Sequence, residues 1–331
     1  MEVKALKFGG LTAKRPIVQG GMGVGVSLSS LAGNVAKCGG VGTISGVHPG
    51  YREADFKENP FRANLRAIGN ELEKAKEIAS GGIIGFNFMT VMNHYEEYVK
   101  EAIAAGADFI VSGAGLPVNL AKYAAGTRAA ILPIVSSARA LKLIVKQWQR
   151  ADRLPDAVVV EGPLAGGHLG YPYGHLVDGT FDTLEDSLVD VVDYVRELEE
   201  KNGVKIPVIA GGGVRNYADM ERLMALGASG VQVGTKFVAT EECDAAPAFK
   251  QAYLRSRKED VQLIESPVGL AARAIRNSFL EKVEKQGRIP VQRCYQCMNH
   301  CKQAETKYCI SQALIDAVQG REGLVFCGAN A

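Results

Sequence analysis

Pro207-Val-Ile-Ala-Gly-Gly-Gly213 and Gly230-Val-Gln-Val-Gly-Thr235 are two short apolar runs, and each leads directly into glycine. Such runs are typical of parallel strands that are covered on both faces. A helical pattern, Asp219–Leu226, separates the two runs. Glycines after a strand let backbone N–H groups approach an anion without a Cβ atom in the way. The stretch therefore predicts two successive strand–helix units whose loops could hold a phosphate.

The same alternation of strand and helix patterns continues towards the N-terminus. Six further apolar runs read as strands, which makes eight in all with the runs above: Pro16–Gln19, Gly40–Ser45, Ile83–Phe88, Asp108–Ser112, Ile131–Ser136, Ala157–Glu161, Pro207–Ala210 and Gly230–Gly234. The clearest helical patterns between them are Ser27–Lys37, Tyr95–Ala105, Ser137–Gln149, Leu184–Glu200 and Asp219–Leu226. Eight such units predict an α/β fold, a (β/α)₈ TIM barrel, with a doubly wound open sheet as the rival.

Composition narrows the class of protein. The chain has 331 residues, of which 47% are apolar and 22% charged, so a disordered chain is excluded. A net charge of +2 does not indicate a nucleic-acid binder. We find no apolar run of about 18 residues that would suit a membrane span. The charged opening, Met1–Lys7, does not resemble a secretory leader. We therefore expect a cytoplasmic protein with no nucleic-acid or membrane partner, and leave a homodimer open.

The barrel pattern does not fill the chain. We assign residues 1–258 to the barrel and read 47–82 as an insertion, because it is longer than one strand–helix unit needs. Residues 259–331 form a C-terminal extension rich in cysteine. Within it, residues 270–307 carry eight basic and three acidic side chains. This basic stretch, including Arg273 and Arg276, could attract an acidic partner.

Five glycine-rich loops follow predicted strands. They are Gln19–Gly23, Ser112–Gly115, Ala165–His168, Ala210–Gly213 and Gly234–Thr235. In a barrel, all five loops would lie at the carboxyl end, where these folds keep their active sites. The third loop is immediately followed by His168, whose imidazole could take up or return a proton near neutral pH. His48 and His94 read as surface or loop residues; His175 could face a substrate, but it too reads first as a loop residue without a catalytic role.

Four of the seven cysteines form a cluster. The spacing is Cys294-x₂-Cys297-x₃-Cys301-x₇-Cys309. Four thiolates suit either zinc or a [4Fe–4S] cluster, and the spacing does not choose between them. His300 could replace one of the four, although the adjacent Cys301 is the simpler ligand. Cys327 lies near this region and reads as apolar packing.

Several of these motifs resemble one family. Pro16-Ile-Val-Gln-Gly-Gly-Met-Gly23, Glu161-Gly-Pro-Leu-Ala-Gly-Gly-His168, Pro207–Gly213, Gly227–Thr235 and Ser266–Arg276 occur in the order found in nitronate monooxygenases. That family was formerly called 2-nitropropane dioxygenase and includes the FabK-type enoyl-[acyl-carrier-protein] reductases. The similarity covers nearly the whole chain.

The resemblance implies a barrel that binds FMN without a covalent bond. The residues it assigns to the phosphate are Gly212, Gly213, Gly234 and Thr235. The residues it places along or near the rest of the cofactor are Gly21, Met22, Asn87, Ser112, Glu161, Gly166 and Gly167. His168 would be the catalytic acid–base group. NADH or NADPH is a candidate electron donor.

The C-terminal extension resembles one subgroup more specifically. Tyr308-Cys309-Ile310 and Glu322–Asn330 are similar to the FabX-type acyl-carrier-protein dehydrogenase/isomerases, which carry FMN and a [4Fe–4S] cluster. The resemblance thus implies Cys294, Cys297, Cys301 and Cys309 as iron ligands. The basic stretch could dock the acidic surface of an acyl carrier protein, since complementary charge speeds encounter, or it could be a solvated basic face.

Three functions follow as hypotheses. The first is an FMN-dependent oxidoreductase acting on fatty acyl-[acyl-carrier-protein] thioesters, either as a dehydrogenase/isomerase or as an enoyl reductase. The second is a nitronate monooxygenase that uses O₂ and a small nitronate substrate. The third is a flavin and iron–sulfur electron-transfer module without a substrate of its own.

Overall fold

The computed structural model describes residues 4–299 and 301–331. His300, proposed above as an alternative metal ligand, lies outside the described residues. Within the described part, no helix has the length and apolar character needed to cross a bilayer.

Thirteen strands are present in the described residues. They are β1 Leu6–Phe8, β2 Leu11–Ala13, β3 Ile17–Gln19, β4 Val41–Ser45, β5 Ile83–Met89, β6 Phe109–Gly113, β7 Ala130–Val135, β8 Val158–Glu161, β9 Gly167–His168, β10 Val208–Gly211, β11 Gly230–Val233, β12 Val261–Glu265 and β13 Ala271–Ile275.

Twelve α-helices accompany them in the same residues. They are α1 Ser29–Lys37, α2 Pro60–Ala79, α3 Tyr95–Ala104, α4 Leu120–Tyr123, α5 Ala138–Trp148, α6 Tyr173–Asp178, α7 Leu184–Asn202, α8 Tyr217–Ala225, α9 Thr235–Val238, α10 Pro247–Arg255, α11 Ser278–Gln286 and α12 Ile310–Val318.

Eight parallel strands close into a barrel. Their order is β3-β4-β5-β6-β7-β8-β10-β11, and β11 pairs with β3 to complete the ring. These are the eight strands that the sequence predicts, each within two residues of the expected bounds. The predicted TIM barrel is therefore confirmed, and the open sheet is excluded because such a sheet would leave two edges unpaired.

Side chains of the barrel strands alternate between two cores. Val159 of β8 belongs to the interior cluster, whereas Val158 and Val160 belong to the layer between strands and helices. This alternation follows from the pleat, which turns successive side chains to opposite faces. The hairpin β1–β2 adds Leu6 and Phe8 to the interior cluster and so covers the end opposite the glycine loops.

The stretch 47–82 contains the barrel's own second helix. α2 connects the second and third barrel strands and packs closely on α1. The contact needs a small residue, since a Cβ atom on Gly33 would lie 2.9 Å from the carbonyl oxygen of Ala75. The extra length is therefore a longer loop and helix within one regular unit.

The C-terminal extension packs on the glycine-loop end of the barrel. β12 and β13 form an antiparallel hairpin, and β13 pairs with β9 in a register that sets Ala272 opposite His168. The loop that carries His168 is thus fixed by a segment about one hundred residues further along the chain. The domain boundary at residue 258 stays a prediction.

Candidate active site

A cavity of about 480 Å³ lies at the carboxyl ends of the barrel strands. Every predicted cofactor and catalytic residue except Ser112 lines it: Gly21, Met22, Asn87, Glu161, Gly166, Gly167, His168, Gly212, Gly213, Gly234 and Thr235. The loops meet here because parallel strands in a closed ring all present their carboxyl ends at one rim.

One end of the cavity is built from backbone. Gly212 and Gly213 adopt φ angles of +99° and +89°, which residues with a Cβ atom rarely adopt. A Cβ atom on Gly212 would also lie 3.0 Å from the carbonyl oxygen of Gly162. Thr235 closes the same end, and its hydroxyl accepts a hydrogen bond of 3.3 Å from the N–H of Gly328. This end can surround an anion such as a phosphate.

The floor of the cavity also requires glycine. A Cβ atom on Gly21 would lie 2.3 Å from the Cβ atom of Asn87, and one on Gly23 would lie 2.5 Å from the hydroxyl of Ser45. The loop after β3 therefore crosses the ends of β4 and β5 in direct contact with the side chains of Ser45 and Asn87. Glycine lets the loop lie close against these strand ends, which leaves space above it for a flat ring system.

Ser112 does not line the cavity. Its side chain is completely buried, donates a hydrogen bond to the carbonyl oxygen of Phe88 (2.9 Å) and accepts one from the hydroxyl of Tyr95 (2.8 Å). The hydroxyl thus links β6 to β5 and α3. The residues of this strand end that reach the cavity are Gly113 and Ala114.

Glu161 ends β8 and faces the cavity. Burial raises the pKa of its carboxyl group to about 7. Among the described residues, this carboxylate forms no ion pair that would oppose the effect of burial. The group is therefore poised between its charged and neutral forms near physiological pH.

His168 lies beside the cavity in a largely apolar setting. Its Nε2 atom is 2.8 Å from the hydroxyl of Ser266, and its ring centroid lies 5.0 Å from that of Phe326, nearly edge-on. Burial lowers the pKa of His168 to about 4, because a charged imidazolium would lose its hydration there. The side chain is consequently neutral at pH 7.

Arg273 corrects one expectation from the sequence. It was predicted to help attract an acidic partner, but it is only 8% exposed. Its guanidinium donates a hydrogen bond to the carbonyl oxygen of Ala165, within the loop before His168. Arg273 therefore fastens this loop to β13, and of the two named arginines only Arg276 remains exposed, in an ion pair with Glu281.

The sequence did not indicate how much of the cavity wall comes from the C-terminal extension. Leu314, Leu324, Phe326 and Cys327 line the cavity together with Gly328 and its neighbours. Cys327 is 2% exposed, and burial raises the pKa of its thiol to about 12. The one sequence signal for this arrangement is the family motif that runs from Glu322 to Asn330.

The other histidines occupy different surroundings. His48 was expected at the surface or in a loop, but its ring is buried and bonds to the hydroxyl of Ser311 (2.8 Å) and the amide of Asn64 (3.3 Å). Its partner Ser311 lies 263 positions away, so no local pattern could reveal the contact. His94 begins α3 at the surface, and His175 is exposed on α6 and does not line the cavity.

The four clustered cysteines line a second, smaller cavity of about 130 Å³. Cys297 and Cys309 are half-buried, whereas Cys294 and Cys301 are exposed. Burial raises the pKa of the Cys297 thiol to about 11, and repulsion from the other three thiolates acts in the same direction. Over residues 4–299 and 301–331, no three His, Cys, Asp or Glu side chains are close enough to hold a metal ion as placed. A metal centre is therefore not confirmed.

Comparison with known proteins identifies the family. The family model described as nitronate monooxygenase matches residues 4–331. A probable nitronate monooxygenase of Staphylococcus saprophyticus is 25% identical over 308 residues, which covers 86% of this chain and 82% of that protein. A probable nitronate monooxygenase of Staphylococcus haemolyticus is 35% identical over 136 residues, covering 41% of this chain and 36% of that protein.

Solved structures agree with this result. FabK from Thermotoga maritima superimposes with a TM-score of 0.64 at 26% identity, covering 83% of this chain and 75% of that one. Nitroalkane oxidase from Streptomyces ansochromogenes shares the fold, with a TM-score of 0.66 at 21% identity over 95% of this chain and 89% of that one. The predicted enzyme class, an FMN-dependent oxidoreductase, is confirmed by the family match and the curated relatives. With the family model matching from residue 4 to residue 331, the chain belongs to the nitronate monooxygenase family.

Proposed function

We propose that the protein is an FMN-dependent oxidoreductase that acts on fatty acyl thioesters. The single observation that carries the proposal is the composition of the cavity. It has a backbone cradle at Gly212 and Gly213, a neutral imidazole at His168 and an apolar wall from the C-terminal extension. An apolar wall beside a proton-handling side chain suits an acyl chain better than it suits a small polar anion.

The residues present fit FMN. Gly212, Gly213, Gly234 and Thr235 would hold its phosphate, and Gly21 leaves room for a flat ring over the loop after β3. Bound FMN supplies the hydride chemistry at carbon, which no side chain can provide. The chain's own part is to orient that ring, to exclude water with the C-terminal wall, and to hold a proton beside the substrate through His168.

The second candidate is oxidation of alkyl nitronates with O₂. It is favoured by the names of the curated relatives, which are probable nitronate monooxygenases. The same neutral imidazole could hold a nitronate oxygen. The third hypothesis, an electron-transfer module, needs no substrate space beside the flavin, and the apolar wall that the C-terminal extension adds to the cavity weighs against it.

One experiment separates the candidates. The oxidised enzyme is mixed without oxygen with NADH, NADPH, a saturated acyl-[acyl-carrier-protein] or an alkyl nitronate, and bleaching of the flavin absorbance is followed in each. Rapid bleaching by the acyl thioester, or by a reduced nicotinamide with reoxidation by an enoyl thioester, supports the proposal. Bleaching by the nitronate alone, with reoxidation by O₂, would replace the first candidate with the second.

The proposal includes a [4Fe–4S] cluster at the small cavity. Four thiols face one space there, and thiolates are the ligands that such clusters use. The hydroxyl of Tyr308, buried beside the same cavity, has no hydrogen-bond partner among the described residues, which fits a group missing from that space. Cys294, Cys297, Cys301 and Cys309 would move closer together to hold it.

Protein produced without oxygen is expected to be brown and to contain about four iron atoms per chain. Cys297→Ser should lose most of that iron, because Cys297 is a proposed ligand at the most buried side of the cavity. Cys38→Ser is the matched control, since Cys38 is exposed and lies outside both cavities. Iron and zinc are measured by mass spectrometry, and stoichiometric zinc without iron would refute the cluster.

An acyl carrier protein remains a proposed partner at the basic stretch. Most cations of this stretch are already engaged, for example Lys302 with Glu305 and Lys307 with Glu265. Arg276→Glu is expected to raise KM several-fold for a carrier-bound substrate and to leave KM for a small thioester unchanged. Lys205→Glu, which lies beyond α7 at the opposite end of the barrel, should change neither value. Equal effects of Arg276→Glu on both substrates would contradict docking there.

A further inference from the structure

The hydroxyl of Ser266 is placed to decide which nitrogen of His168 carries the proton. Ser266 is the first residue of the turn between β12 and β13, and it is 5% exposed. Its backbone N–H donates to the carbonyl oxygen of Leu270 (2.9 Å), and its carbonyl oxygen accepts from Gly269 (2.9 Å). The backbone that carries this side chain is therefore fixed by a fully bonded turn.

The hydrogen bonds around Ser266 determine whether its hydroxyl donates to His168 or accepts from it. The N–H of Val268 donates to the Ser266 hydroxyl oxygen at 3.4 Å. The hydroxyl's own hydrogen needs an acceptor, because an unmade hydrogen bond is costly for a buried group. Among the described residues, the acceptor within reach is Nε2 of His168, at 2.8 Å. Since burial keeps this imidazole neutral, an accepting Nε2 leaves the proton on Nδ1.

The remaining nitrogen faces the cavity. His168 lines the cavity and Ser266 does not, so Nε2 points away from the open space. The buried side-chain atoms that lack a partner are those of Thr43, Ser187 and Tyr308, and Nδ1 of His168 is not among them in the described residues. No hydrogen bond from Nδ1 to another described residue is present either. Nδ1 is therefore open to a ligand.

We propose that Ser266 is a positioning residue that holds His168 as the Nδ1–H tautomer, so that the imidazole meets a bound substrate as a neutral hydrogen-bond donor. The identity of the substrate rests on the proposed function, whereas the tautomer rests only on the contacts around His168. A neutral N–H donor stabilises negative charge that develops on an oxygen, whether on a thioester carbonyl or on a nitronate. No bond is made or broken in this role, and no other proton source is needed.

The neighbouring contacts support a fixed ring. β13 pairs with β9 beside His168, Arg273 holds the carbonyl of Ala165, and Phe326 packs against the imidazole edge-on. The first two contacts fix the backbone around His168, and the ring itself is held by Phe326 and by Ser266. The tautomer is thus a property of the folded chain, and it can be measured without any substrate.

The test is ¹⁵N NMR of flavin-loaded enzyme labelled at histidine, at pH 7. Protonated and unprotonated ring nitrogens have well-separated shifts, and the His168 signals are assigned by their loss in His168→Ala. We expect Nδ1 of the wild type to be protonated. Ser266→Thr, which keeps the hydroxyl, should retain this pattern, whereas Ser266→Ala should lose it in favour of the Nε2–H form.

Turnover gives a second measurement. With the substrate identified by flavin bleaching, Ser266→Ala is expected to lower kcat about tenfold with little change in KM, as for one lost hydrogen bond, and Ser266→Thr should restore it.

A protonated Nε2 in the wild type, or an unchanged tautomer in Ser266→Ala, would overturn the inference. If Ser266→Ala fails to fold, the wild type and Ser266→Thr still decide the tautomer. Absence of turnover with every substrate would instead refute the proposed function and leave the tautomer result standing.

Discussion

Replacing His168 with alanine is expected to leave FMN bound at the wild-type stoichiometry and to lower turnover by about 10²- to 10⁴-fold, the range for a lost acid–base group or a lost donor to developing negative charge. The flavin should remain because the proposed phosphate cradle at Gly212 and Gly213 is backbone and does not involve the imidazole. The loop should also remain in place, since β9 is held to β13 by backbone pairing that alanine preserves. The loss should therefore appear in kcat and not in flavin content.

His175→Ala is the matched control for this variant. His175 lies on α6, seven residues further along the same loop region, but it is exposed and does not line the cavity. It should retain turnover within about twofold, as is usual for surface substitutions. Flavin content is read from absorbance after release, and turnover from the substrate identified by anaerobic bleaching. Normal turnover in His168→Ala would remove the imidazole from the mechanism.

The barrel could be predicted because each of its strands carries its own signal. A run such as Val158, Val159 and Val160 is apolar at successive positions, since one set of side chains faces the interior and the other faces the helices. The glycine loops could be predicted for a related reason. Where a loop lies directly against a neighbouring side chain, as Gly21 does against Asn87, only glycine fits, and the sequence shows that constraint directly.

The C-terminal part of the site had no comparable signal. β9 is only two residues long, and its pairing with β13 depends on contacts about one hundred positions apart. Arg273 counted as one of eight basic residues, but strand pairing turns it inward to the carbonyl of Ala165. Charge counted along the chain does not distinguish a buried arginine from an exposed one, so the exposed basic surface is smaller than the sequence predicts.

Ser112 and Ser266 show that residue type and position along the chain do not determine which hydroxyl belongs to the site. Ser112 follows a barrel strand and was placed near the cofactor, yet its hydroxyl is used between Phe88 and Tyr95. In the sequence, Ser266 is only the first residue of the motif Ser266–Arg276, yet in the structure its hydroxyl contacts the predicted catalytic histidine. A residue type at a strand end indicates what chemistry is available, but hydrogen-bond partners decide where that chemistry is directed.

Gly21→Ala is expected to abolish tight FMN binding, with an affinity loss of about 100-fold or more, equivalent to about 2.7 kcal/mol. The added Cβ atom would lie 2.3 Å from the Cβ atom of Asn87 and 3.3 Å from Cγ2 of Thr43. Neither neighbour is the flexible end of a long side chain, so the loop itself must move into the space that the ring would occupy. Titration of the flavin-free protein with FMN, followed by fluorescence quenching, measures the change.

Two further variants make this prediction specific. Gly69→Ala adds the same methyl group within α2, where nothing lies within 4 Å, and should bind FMN as the wild type does. Asn87→Gly removes the Cβ atom that Gly21→Ala would collide with. The affinity loss caused by Gly21→Ala should therefore be smaller in the Asn87→Gly background than in the wild type. If Gly21→Ala binds FMN normally while its thermal stability is unchanged, the loop after β3 does not form the floor of a flavin site, and the cofactor would have to lie elsewhere in the cavity. Recovery in the double variant would instead show that crowding against Asn87 is the cause, because steric coupling between neighbours is what a double-mutant cycle detects.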